Sequence, residues 1–207
     1  MNGARMCCTS ITGAIMTAVT ILLLTGCTTM QTAPQISATP QVFNVAEYAP
    51  LPLNARRLEI IDNWQMPVAE PYVGHWVDPL PINILVQWAG KVLKPSGGSG
   101  EIILDIKTVS ITVTDLPVKV GLDGLLTDQQ NRKITAKIEM QLMWLQPVGG
   151  TQANARLEAS QSITIAESAN LVELNKAIFE SFAQALRRLD AETRTELAKI
   201  DRMILRP

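Results

Sequence analysis

Apolar and polar residues alternate most regularly in the middle of the chain. From Lys133 onward, Ile134, Ala136, Ile138, Met140, Leu142 and Trp144 alternate with Thr135, Lys137, Glu139 and Gln141, which is the pattern of a strand with one buried and one wet face. Residues 155–165 repeat it, with Leu157, Ala159, Ile163 and Ile165 set against Arg156, Glu158, Ser160, Ser162 and Thr164. In 101–114 the parity changes. Ile102, Leu104 and Ile106 share one face while Val109, Ile111 and Val113 share the other, so a bulge or a switch of buried face is predicted near Lys107-Thr108. Sheets with one solvated face are normally antiparallel, and these three strands are predicted to form a meander. A shorter strand is expected at 56–62, in Arg57-Leu58-Glu59-Ile60-Ile61.

Two segments carry helical spacing instead. Ile82, Leu85, Trp88, Ala89 and Val92 line one face of a helix that Asp78 is expected to cap, with Pro79 in its first turn; Pro95 and Ser96-Gly97-Gly98-Ser99-Gly100 end it. The second helix starts at a capping box, Asn170 with Glu173, and Leu171, Leu174, Ile178, Phe182, Ala185, Leu186, Leu189, Leu197 and Ile200 mark its stripe. No Gly or Pro interrupts 170–205, so about thirty residues could run ~45 Å at 1.5 Å per residue. Asp190 and Arg194 form an i,i+4 pair on its polar side. A helix of that length should overhang a four-stranded sheet, leaving the part beyond Leu189 as a contact surface or a frayed tail. The predicted fold is α+β, in the order β-α-β-β-β-α: a four-stranded mixed, mostly antiparallel sheet with two helices on one face.

The N-terminus carries an address. A single positive charge at Arg5 precedes an apolar run from Ile11 to Leu24, which is short of the ~20 residues of a membrane span. Leu24-Thr25-Gly26-Cys27 follows, and the whole resembles the signal of a bacterial lipoprotein, cleaved before a cysteine that becomes lipidated. Residues 1–26 are therefore read as a signal peptide, 27–55 as the lipidated Cys27 and a flexible tether, and 56–207 as one domain. The tether is Thr-, Gln-, Ala- and Pro-rich, although Val42, Phe43, Val45 and Tyr48 would let its second half pack as a loop. Cleavage removes Cys7 and Cys8, so the mature chain could form no internal disulfide. Several acyl chains on Cys27 would hold the domain at a membrane surface, since each buried CH₂ contributes ~0.8 kcal/mol.

Composition narrows the chemistry. With 18 Lys and Arg against 19 Asp and Glu in 207 residues, the chain has no basic footprint for nucleic acid. One histidine and three cysteines leave little for a metal centre, and no metal or cofactor beyond the lipid on Cys27 is expected. His75, in Gly74-His75-Trp76, has no Gly-x-Ser-x-Gly turn to serve. Asp123-Gly124 and Asp128 sit in a long connection without the ligand spacing of an EF-hand, and are read as a polar hairpin tip. Gly97-Gly98-Ser99-Gly100 leads into a strand, whereas a phosphate loop leads into a helix. No catalytic residue is singled out. Of the four tryptophans, Trp88 and Trp144 fall on apolar stripes and are expected in the core; Trp64 and Trp76, in Pro-rich segments, suit partner contact or packing.

With the elements placed, the chain resembles the small auxiliary lipoproteins of Gram-negative envelope transport. One such group serves ABC-type systems that work with MCE proteins; another, more distant, is the lipoprotein plug of the lipopolysaccharide translocon. The local match is Trp76-Val77-Asp78-Pro79-Leu80 leading into a helix. The Tyr-Leu strand that follows the lipidated cysteine in the first group has no counterpart in the tether. This resemblance implies a non-enzymatic accessory or docking subunit of an envelope transport or assembly complex. It would be anchored by its lipid at the periplasmic face of the outer membrane, and Trp64, Trp76, Asp78, Pro79 and Leu80 are its candidate contacts with a protein partner. The alternatives are a carrier of lipid or another hydrophobe and, from a third class, an envelope hydrolase.

Overall fold

The computed structural model describes residues 43–117 and 129–205. The signal peptide, the Leu24-Thr25-Gly26-Cys27 box, the first part of the tether, and Asp123-Gly124 with Asp128 lie outside the described residues.

The alternating segments form the sheet. β4 (Glu101–Asp115), β5 (Gln130–Gln146) and β6 (Thr151–Ala166) make an antiparallel meander, and β2 (Arg57–Ile61) adds to β4 in parallel, giving the order β2-β4-β5-β6. The parity change in β4 is a bulge: Ile106 opposes Met140, Thr108 opposes Glu139, and Lys107 is left over. The extra residue lets Val109 and Ile111 continue on the face that Ile102 and Leu104 began, and all four are buried. The other face is wet. There Glu101 takes hydrogen bonds from Arg56 and Arg57, and the Arg56 bond in particular holds its carboxyl below the usual range. The Lys137 hydrogen bond does the same for Glu139.

Two helices cover the apolar face: α1 (Pro81–Val92) and α2 (Leu171–Ala198). α1 begins two residues later than expected, and Asp78 does not cap it. A residue before proline is pushed out of the helical region, so Leu80 cannot be helical and Pro81 takes the first position. α2 starts as predicted, with Asn170 Oδ1 accepting from the Val172 and Glu173 N–H groups and Glu173 Oε2 accepting from Asn170 N–H. Trp88 and Phe182 are both fully buried, and such side chains each contribute about 1.5–3 kcal/mol by leaving water.

The overhang expected of α2 is not seen, and the second half of the tether takes the packed alternative. The part of the tether that is described is packed: Phe43 lies 4.0 Å, ring to ring, from Phe179, and Leu53 and Ala55 are fully buried. Leu51–Leu53 is a strand, β1, paired in parallel with β3 (Leu93–Pro95) at the end of α1. The helix does not overhang, because its last turns still lie against β6, where Thr195 lines a groove with Glu158 and Ser160. Thr193, Leu197 and Met203 are fully buried, and the chain turns back after Ala198 to bond Leu205 N–H to Pro52 O at 3.0 Å.

Polar groups at this end are paired inside the protein. Asp190 accepts from Trp88 Nε1 at 3.1 Å and from Arg194 Nε at 2.8 Å, and Arg194 also donates to Ala49 O. Trp144 Nε1 donates to Asn54 O at 2.9 Å. Gly100 makes that approach possible, since a Cβ there would lie 2.6 Å from Asn54 O and 2.7 Å from the indole nitrogen. Burial pushes the Tyr48 hydroxyl up to about 12.

Candidate docking interface

Residues 62–77 run along the side of β4 that β2 leaves open. Trp64 Nε1 donates to Val109 O at 3.0 Å, Val73 N–H to Ile111 O, and Val113 N–H to Pro71 O, so the strand's outer hydrogen bonds are taken up one after another. This places Trp64 partly buried against the core, in packing contact, and separates it from the other contact candidates. The segment then turns through a short 3-10 stretch, Gly74–Trp76, before α1. Gly74 is close-packed, with room for a Cβ only if Met66 Sδ, 2.8 Å away, moves.

The turn, the end of β4, the start of β5 and the first turn of α2 enclose a groove of about 760 Å³. Its lining includes Val68, Glu70, Tyr72, His75, Trp76 and Arg132. Two of the lining side chains are large, apolar and exposed, Val68 at 72% and Trp76 at 55%, and in the helix turn that supplies Leu174 to the lining Leu171 and Val172 are exposed as well. Leu171 is expected on the buried stripe, but it is exposed, since the β5–β6 ladder ends at the Gln130–Ala166 pair before the helix begins. Asp78, Pro79 and Leu80 continue from Trp76 as an exposed stretch leading into α1. Trp76, Asp78, Pro79 and Leu80 are therefore contiguous and accessible, and Trp64 is apart from them.

Polar groups here are less completely paired. His75 Nδ1 is buried with no hydrogen-bond partner, its ring edge-on to Trp76 at 5.7 Å. Asn131 Oδ1, next to Arg132 at the start of β5, is also buried without a partner. Glu70, Asp115 and Arg132 form no ion pair among the described residues. Such a surface can bury an aromatic anchor and offer charges of both signs around it, which is how docking surfaces are built. Sequence reading missed Val68, Tyr72, Arg132 and Leu174 as part of this surface. Only Val68 and Tyr72, in the same Pro-rich passage as Trp76, carried a local signal. Among the described residues, no cluster of His, Cys, Asp and Glu could hold a metal ion, and no helix is long and apolar enough to cross a membrane.

No family model and no curated protein matches the sequence. Solved structures resemble the fold loosely. A DUF330-family protein from Xanthomonas campestris aligns over 74% of this chain and 89% of its own at 12% identity, with a TM-score of 0.37. Rare lipoprotein B from Shewanella oneidensis aligns over 69% of this chain and 97% of its own at 13% identity, with a TM-score of 0.32. A candidate lipoprotein from Caulobacter crescentus aligns over 69% and 88% at 8% identity, with a TM-score of 0.31.

Proposed function

We propose that this chain is a lipid-anchored, non-catalytic accessory subunit of the bacterial envelope, and that it docks through its groove end on a protein partner in a transport or assembly complex. The observation that carries the reading is the exposed Val68 and Trp76 in the lining of a groove of about 760 Å³, on a protein whose other tryptophans are folded inward. An exposed tryptophan beside aliphatic side chains and unpaired charges suits a buried anchor at an interface. Cys27, after the Leu24-Thr25-Gly26 box, would supply the anchor. The fifteen residues between it and Phe43 reach at most about 50 Å when extended, enough to let the domain meet a partner above the membrane. A carrier of lipid is less well supported, because the space between helices and sheet is filled by Ile102, Leu104, Leu142 and Phe182, all with zero exposure.

Affinity purification of the full chain from membranes in mild detergent tests this. A stoichiometric partner should co-purify with the unsubstituted protein and be lost from the Trp76→Ala variant, while Cys27→Ala should free the chain from the membrane. A chain that purifies alone in several detergents, or a partner indifferent to Trp76, would contradict the reading.

A further inference from the structure

The two edges of the main sheet are finished differently. Along the β2 side, Trp64, Pro71 and Val73 take up the outer hydrogen bonds of β4. At the other edge β6 runs from Thr151 to Ala166 without a proline, glycine or lysine, and among the described residues no strand pairs with its outer side. An edge of that length, met from outside by one side-chain hydrogen bond, Arg188 to Ser160 O, is a template for another strand. Its orientation follows from the ladder. Glu167 N–H donates to Gln129 O across to β5, so odd-numbered residues of β6 turn their N–H and C=O inward and even-numbered ones turn theirs to the open edge. Ser160 agrees, its carbonyl being reached at 3.3 Å by Arg188 Nη1, a side chain that lies exposed on α2.

We propose that the β6 edge pairs with the β6 edge of a second copy of this chain, antiparallel, about a two-fold axis through Leu157. Charge selects both the partner and the register. Satisfying the open groups by a two-fold requires even-numbered residues opposite even-numbered ones. An axis at Arg156 sets that arginine against itself, and an axis at Glu158 does the same for the glutamate. An axis at Leu157 sets Arg156 against Glu158 of the second copy, twice over, joining the Arg156–Glu158 ion pair already present in each chain into a ring of four alternating charges. Asn154 then opposes Ser160, and Gln152 opposes Ser162, all small or uncharged. On the core side Ala155 opposes Ala159, both small, and Leu157 on the axis is fully buried within its own chain. Between β6 and α2 lies a groove of about 360 Å³ lined by Glu158, Ser160, Arg188 and Glu192, so the edge is open beside the residues of the four-charge ring. Arg188 gives up Ser160 O, which then accepts from the Asn154 N–H of the second copy.

The register is tested in native membranes with two differently tagged full-length chains expressed together, one carrying Arg156→Cys and the other Glu158→Cys. Opposed residues of a hydrogen-bonded antiparallel pair have Cα atoms about 5.5 Å apart, within disulfide reach. Oxidation should link the two tagged chains, with either variant alone giving no more dimer than the unsubstituted chain. Absence of the mixed dimer, equal linking in the single-variant samples, or linking to a different protein would overturn the proposal, the last by assigning the edge to another partner's strand. A second readout is native mass of the detergent-extracted protein. Arg156→Glu should abolish the dimer and the swap R156E/E158R should restore it; a monomer throughout, or a dimer unmoved by Arg156→Glu, would also overturn it. Neither readout depends on Trp76.

Discussion

The two ends of this molecule use the same kind of residue for opposite purposes. At the β1–β3 end, Trp88 and Trp144 are buried with both indole N–H groups satisfied, one by Asp190 and one by Asn54 O. At the groove end, Trp76 stands more than half exposed next to a buried His75 nitrogen that has no partner. Buried polar groups are normally paired because an unpaired one forfeits its hydration without return. The first end is therefore complete within one chain, whereas at the second the His75 nitrogen has no partner among the described residues, as the proposed docking there would require. The contrast also separates a lone exposed residue from a surface. Val148 is 74% exposed, as much as Val68, but it sits in the tight β5–β6 turn at the opposite end of the meander and does not line the groove.

The largest effects should break the closed end. Trp88→Ala removes a fully buried ring and the donor to Asp190, and should cost about 3–5 kcal/mol in a denaturant titration. Gly100→Ala forces a methyl against Asn54 O and the Trp144 ring nitrogen, and should cost about 1–3 kcal/mol by the same measurement. A smaller effect is set by pH. Because burial raises the folded-state value of Tyr48 from 10 to about 12, its contribution is complete below pH 10 and lost as pH rises through 12. Tyr48→Phe should flatten that alkaline fall in stability while leaving the neutral range alone. Smallest of all, Trp76→Ala should change stability by no more than about 0.5 kcal/mol, since its ring is mostly in water. A large loss there would mean that the groove end is held together from within.

Much of the fold was legible because its signals are local. Strict alternation in β5 and β6, the parity change at Lys107-Thr108, and the Asn170–Glu173 box each follow from a few neighbouring residues, and each appears where expected. What failed depends on residues far apart. β1 is three residues, Leu51-Pro52-Leu53, too short for any period, and it exists because Leu93–Pro95 lies beside it. In sequence α2 looks too long for the sheet, and the part beyond Leu189, where Thr193 and Leu197 are buried, reads as a contact surface or a frayed tail. The start of α1 is expected at Pro79 with Asp78 as its cap, and the restriction Pro81 places on Leu80 moves it two residues on. The groove was least visible, for its walls come from four stretches of chain, and only the Trp76 stretch announced itself in sequence.

Site-specific photo-crosslinking tests the central contrast most directly. A photoreactive residue is placed at position 76 in one full-length sample and at position 148 in another, and both are irradiated in intact cells. The account predicts a discrete crosslinked partner from position 76 and none from position 148; equal labelling from both positions, or none from position 76, would contradict it.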